Sequence, residues 1–292
     1  MKRGWITWDK SEIHPSVFDA RLAVARKELA ARDLPALVVY TDVWRSNQGR
    51  YLANFMPYWN RALLVIPRDG APILLCGLSP RVYPWIRSVT ILDEIRPSQN
   101  IAQQLTNLCF ERGWMKIGIL DLPQLPSDLA IPNSIDVPWS AIHPEPDEAE
   151  LSMYRRAAKM AREILEAALP NAAGLIDHEF VARLELTYRR AGIEDLVILK
   201  TNGGTPPLPP NGSVLANSCA VSVAMEYRGH WVKIARSGFP VSTHAMKTEL
   251  LSGPYPYEHW DQGNLPLGAI FAMMSRSSGD TYRQTACGPE LL

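Results

Sequence analysis

The segment from Cys219 to Arg236 holds the densest set of side chains that could do chemistry. His230 stands across a short turn from Glu226, and a histidine beside a carboxylate is a candidate acid/base pair because imidazole titrates near neutral pH. The same histidine also reads as a half-buried residue of a hairpin. Lys233 follows Trp231 by two residues, so period-two alternation puts both on one strand face. Burial on that face would lower the amine's pKa and make it a base or Schiff-base nucleophile. The competing reading is an ammonium paired with an acid. Cys219 has no histidine at a fixed spacing and reads as a core thiol rather than a nucleophile.

A second group lies near the amino terminus. Arg61, after Tyr58, Trp59 and Asn60, could hold a carboxylate in a two-pronged fork, or it is a surface arginine at a strand end. Trp5, Trp8 and the Trp44/Arg45 pair are candidate interface anchors, since Trp and Arg are enriched at hot spots; they could equally pack over a sheet.

Composition limits the rest. Thirty basic and thirty acidic residues cancel, so no overall field draws the chain to nucleic acid or an anionic membrane. No apolar run is long enough to span a bilayer, and Met1 to Asp9 carries no signal-peptide core. Cys76, Cys109, Cys219 and Cys287 form no CxxC or zinc pattern and are expected to be buried thiols of a reducing compartment, with the cytoplasm as the expected location.

These residues need elements to position them. Val17 to Arg32 repeats apolar residues at three- and four-residue spacing and predicts an amphipathic helix ending at Asp33-Leu34-Pro35. Ala36 to Tyr40, Ala62 to Ile66 and Ala71 to Cys76 predict strands, the last two joined through Pro67-Arg68-Asp69-Gly70. A helix from Asn100 to Arg112, stopped by Gly113, precedes a buried strand from Lys116 to Leu120. The Pro-rich stretch Pro123 to Pro138 and the Pro144-Glu145-Pro146 linker place a domain boundary near Glu145. Asp147 to Leu169 predicts a helix with Leu151, Tyr154, Ala158, Ala161 and Leu165 as its apolar stripe, and a second follows with Asp177 as N-cap and Phe180, Leu184 and Ala191 on one face. Thr201 to Gly212, with four prolines and three glycines, predicts a loop. Val214 to Met225 and Gly229 to Ala235 predict paired strands.

In order, ARLAVARKELAARDLPALVVYTDVWRSNQGRYLANF with RALLVIPRDGAPILL, then EPDEAELSMYRRAAKMAREIL, KTNGGTPP, VLANSCAVSVAMEYRGHWVKIARS and LPLGAIFAMMSR resemble the successive segments of the creatinase/prolidase/aminopeptidase P ("pita-bread") family. The resemblance implies an α/β fold: a creatinase-type amino-terminal domain over residues 1–145 and a truncated pita-bread α+β domain over residues 146–292. Its truncation is expected between Phe239 and Gly253, where two helices and a metal-binding histidine turn normally stand. Closing strands are expected at Ala269 to Ser275 and Thr281 to Ala286.

The departures from the family are chemical. Its metal-dependent members carry two aspartate ligands on a hairpin with ten residues between them, and matching GHWVKIAR puts Ser222 and Lys233 at those positions. Divalent cations held by carboxylates need hard anionic oxygens, and an ammonium repels the ion. Metal is therefore not expected, nor any other cofactor; Glu258 and His259 have no ligand partners. Creatinase works without metal through a loop histidine, but KTNGGTPP has Thr205 there, and a threonine hydroxyl is no general base near neutral pH. Ala235 stands where a strand glutamate would be.

Two readings remain open. One is a metal-free enzyme acting on a C–N bond of a small molecule, its catalytic site rebuilt from Thr205, His230, Lys233 and Glu226, with Asn202, Trp231, Trp59 and Arg61 binding substrate. The other is a non-catalytic subunit. The family's habit of one amino-terminal domain leaning over a neighbour's pocket implies a homodimer, or a heterodimer with a complete relative.

Overall fold

A computed structural model describes residues 7–57, 60–129, 131, 133–202, 207–216 and 219–237. The chain divides into two compact units, Met1–Leu151 and Ser152–Leu292. Tyr58, Trp59, Thr205, Glu258, His259, Cys287, the expected truncation and the closing strands lie outside the described residues.

The first unit is a six-stranded mixed sheet in the order β4-β3-β2-β1-β5-β6. Its strands are β1 (Ala36–Thr41), β2 (Ala62–Pro67), β3 (Ile73–Cys76), β4 (Glu94–Pro97), β5 (Ile117–Leu120) and β6 (Ser134–Val137). β1 runs parallel to β5, β5 to β6 and β3 to β4, while β2 is antiparallel to both neighbours. Five strands therefore point one way and β2 alone points back.

Helix α1 (Pro15–Ala31) buries Phe18, Leu22, Ala25 and Leu29. Leu22, Ala25 and Leu29 join one face of the sheet, with Leu37, Val39, Leu64 and Ile66. The other face, with Val38, Leu63 and Val65, takes Ile101, Leu105 and Leu108 of α4 (Ile101–Arg112). Burial on both faces explains why ALVVY and ALLVI are unbroken apolar runs rather than alternating ones. The α4 ends follow from their residues: the Asn100 side chain accepts from the Gln103 N–H, and Gly113 takes φ 67, where its N–H and that of Trp114 close the last carbonyls. Two short helices, α2 (Asn47–Ala53) and α3 (Tyr83–Val89), and the strands β4 and β6 have no counterpart in the sequence expectations. A seven-residue helix and a four-residue strand are too short for periodicity to reveal.

After the short α5 (Trp139–Ile142), α6 (Glu148–Ala168) opens on a reciprocal cap, the Glu150 N–H donating to Asp147 and the Asp147 N–H to Glu150. The division between units falls inside this helix, at 151/152. Its buried stripe is Met153, Ala157, Ala161 and Leu165, with Leu151, Tyr154 and Ala158 only half-buried. Ala161 and Leu165 are buried as expected, while Met153 and Ala157 take the place expected of Leu151, Tyr154 and Ala158.

The second unit pairs α6 with α7 (Asp177–Arg190) and a three-stranded antiparallel sheet, β7 (Asp195–Asn202), β8 (Cys219–Tyr227) and β9 (His230–Ser237), in the order β7-β8-β9. The fully buried Tyr188 hydroxyl donates to the Ala161 carbonyl at 2.7 Å and ties the two helices together. Tyr188, not the exposed Ala191, completes the buried face of α7. Strand β7 is a second correction: Thr201 and Asn202 belong to it, and the irregular stretch begins after them. Cys76 and Cys219 are buried thiols as expected, while Cys109 is only half-buried.

No helix among the described residues is long and apolar enough to cross a membrane.

Candidate functional site

The β8–β9 hairpin fixes where the candidate residues project. Its two-residue turn, Arg228-Gly229, has positive φ at both positions (47° and 86°), as the twist of a tight hairpin requires. The register pairs Glu226 with Trp231, Ala224 with Lys233 and Ser222 with Ala235, while Tyr227 pairs with His230. Directly opposed residues share a face, so Ser222, Ala224, Glu226, Trp231, Lys233 and Ala235 project from one side. His230 projects from the other, where its ring meets Tyr154 of α6 edge-on at 4.9 Å. On that same side Arg236 reaches Glu166 of α6 at 2.9 Å.

Trp231 and Lys233 thus share a face, but the face does not bury the lysine. Lys233 is exposed and Trp231 is 40% exposed, while Ser222 and Glu226 are buried. The groups across the hairpin from Lys233 and Ser222 are the methyls of Ala224 and Ala235. The acid/base pair expected of Glu226 and His230 is set on opposite faces of the hairpin. Cys219 is buried, and burial pushes its thiol up, away from the nucleophilic thiolate.

Asn202 holds backbone. Its amide donates to the Val214 carbonyl at 2.9 Å, and its oxygen accepts from the Ala216 N–H at 3.0 Å. In the first unit Arg61 pairs with Asp128 at 2.5 Å, both on the surface. Arg61 immediately precedes Ala62, the partner of Thr41, and so sits at the edge where β1 ends.

Sequence reasoning missed one cluster altogether. Asp177 does not cap its own helix, since Ile176 is the cap residue. The fully buried Asp177 carboxylate instead accepts from the backbone N–H groups of Asn211 (3.0 Å) and Gly212 (2.8 Å) and from the Ser213 hydroxyl (3.1 Å). It also faces the Lys200 ammonium at 3.1 Å, itself bound to Ser213 Oγ at 2.6 Å and Asn211 Oδ1 at 3.0 Å. Burial alone would push the Asp177 carboxyl up; the Asn211 N–H, Lys200 and the other donors outweigh it and hold the group well below the usual carboxylate range. A lysine held this way is a counter-charge and not a base for Ser213. The sequence places Lys200 directly before the predicted loop, but no pattern in it ties Asp177 to that loop.

Among the described residues no group of three or more His, Cys, Asp or Glu side chains could hold a metal ion.

An amino-terminal mixed sheet covered on both faces, followed by two helices and an antiparallel meander, is the fold of the prolidases and aminopeptidases P. The Xaa-Pro dipeptidase of Bacillus anthracis matches over 80% of this chain and 69% of its own, at 17% identity and a TM-score of 0.59. The X-Pro aminopeptidase of Thermotoga maritima matches over 78% of this chain and 69% of its own (14% identity, TM-score 0.62), and the prolidase of Pyrococcus horikoshii over 79% and 69% (15%, 0.59). At such identities the likeness establishes the fold, the creatinase-type α/β arrangement with a pita-bread second unit. No family model matches the chain, and no curated protein does.

Proposed function

We propose that this chain is a non-catalytic, metal-independent relative of the Xaa-Pro peptidases, a binding or structural subunit that keeps their fold. One observation carries this reading: the hairpin face to which the family resemblance assigns metal ligands presents a hydroxyl, an ammonium and alanine methyls at Ser222, Lys233, Ala224 and Ala235. Glu226 supplies the face's single carboxylate from strands β8 and β9, and a dinuclear cation site needs several. A metal-free reaction fares no better. His230 and Lys233 emerge from opposite faces, so neither assists the other in moving a proton.

A subunit of this kind works through partners, and a homodimer is the simpler arrangement because, unlike a heterodimer with a complete relative, it needs no second gene product. Both claims meet in one experiment: fractions sized by light scattering are assayed for hydrolysis of Ala-Pro and of creatine, with and without added Mn²⁺. The expected result is a dimer with no turnover above background. Turnover that disappears in Lys233→Ala would reinstate the metal-free enzyme, and a stable inactive monomer would remove the dimer.

A further inference from the structure

We infer that the first unit binds a small, uncharged, planar nitrogen heterocycle, of nucleobase size, in a cleft at the carboxyl ends of β1 and β5. The topology makes the cleft. From β1 the chain leaves toward β2 on one side, and from β5 toward β6 on the other, so the two connections diverge and leave a crevice beyond the strand ends. That is where parallel α/β sheets hold ligands. The crevice has about 330 Å³ of water-accessible space, at the small end for ligand pockets.

The walls are built. The Arg45 guanidinium lies 4.6 Å over the Tyr40 ring, pairs with Asp42 at 3.1 Å and donates to the Gln124 carbonyl at 2.8 Å, stapling the turn after β1 to the turn after β5. Asp121, at φ 48, accepts from the Trp139 N–H at 2.8 Å and from Gln48 at 2.6 Å. The Trp139 indole is locked in turn, stacked on His143 (4.9 Å, 9°) and edge-on to Tyr51 (5.1 Å). A site held this way gives up little freedom when a ligand enters.

The lining sets the ligand's chemistry. Both charged groups of the lining, Arg45 and Asp121, are already engaged, so an ionic ligand finds no counter-ion. What remains is aromatic surface on Trp44, which is 68% exposed, and on Trp139, with the side-chain amides of Asn47 and Gln124, which have no hydrogen-bond partner among the described residues. Two amides, each donor and acceptor, with flat rings suit a heterocycle whose edge carries both kinds of group. A sugar would need more polar partners than these. The cleft lies wholly within the Met1–Leu151 unit and stands whether or not the second unit is catalytic.

Calorimetric titration of the full chain with adenosine and hypoxanthine, using methyl glucoside as control, tests the assignment. The expected result is saturable binding of both heterocycles, weakened about tenfold by Trp44→Ala and several-fold by Gln124→Ala, with circular dichroism confirming both variants are folded. Absence of saturable heterocycle binding would overturn it. So would affinities that both substitutions leave unchanged, or tighter binding of the glucoside.

Discussion

Asp177→Ala is expected to destabilise the second unit by about 3–5 kcal/mol, because it strands the buried Lys200 ammonium without its counter-charge. The same change releases the N–H groups of Asn211 and Gly212, which tether the proline-rich loop to the start of α7. Denaturant titration of the full chain reads the loss. The double variant Asp177→Leu/Lys200→Met is expected to recover most of it, since removing both charges also removes the desolvation penalty. A loss below about 1 kcal/mol in the single variant would mean that the pair is not buried as described. The acid limb supplies an independent sign. Because folding lowers the Asp177 pKa, its contribution is fully present above the unfolded carboxylate value, near about 4, and fades as pH falls from there through the folded value. Wild type should therefore lose stability over that range more steeply than the double variant.

Arg21→Ala is expected to cost the first unit about 2–4 kcal/mol, a little less than the Asp177 change because Asp147 stays partly solvated. The Arg21 side chain is 6% exposed and grips Asp147 with two nitrogens, at 2.6 and 3.0 Å. A third nitrogen donates to the Tyr51 carbonyl at 2.8 Å, and the guanidinium lies 4.0 Å over the Tyr51 ring. Asp147 caps α6, so the substitution also loosens the start of that helix. Asp147 is held below the usual carboxylate range, with burial opposed by Arg21 and by the Glu150 N–H. Hydrogen exchange at the first turn of α6 is expected to accelerate in Arg21→Ala. Arg21→Lys should restore only part of the protection, because an ammonium cannot form the two-nitrogen fork.

The strong periodic signals in this sequence were those of elements that bury a whole face. Helix α1, strands β1 to β3 and helix α4 are legible because Leu22, Ala25, Leu29 and the ALVVY and ALLVI runs meet a covered sheet. Strand β7 escaped because its burial is irregular. Val197 is 52% exposed, Lys200 is buried, and polar Thr201-Asn202 run on into prolines and glycines. The candidate site was legible in residue type but not in direction. Spacing put Trp231 and Lys233 on one face, as the register does, yet proximity in sequence suggested a His230–Glu226 pair that the tight Arg228-Gly229 turn sets on opposite faces. The Asp177–Lys200 pair joins residues 23 positions apart through a loop, and no local pattern encodes such a contact.

Metal binding gives the most direct test of the proposed metal-independent function. Protein stripped with a chelator and titrated calorimetrically with Mn²⁺ should give no saturable heat at stoichiometric concentrations, since Ser222 and Lys233 stand on the hairpin where carboxylates would be needed. Saturable uptake of one or two ions per chain, abolished by Glu226→Gln, would contradict the account and return the hairpin to catalysis.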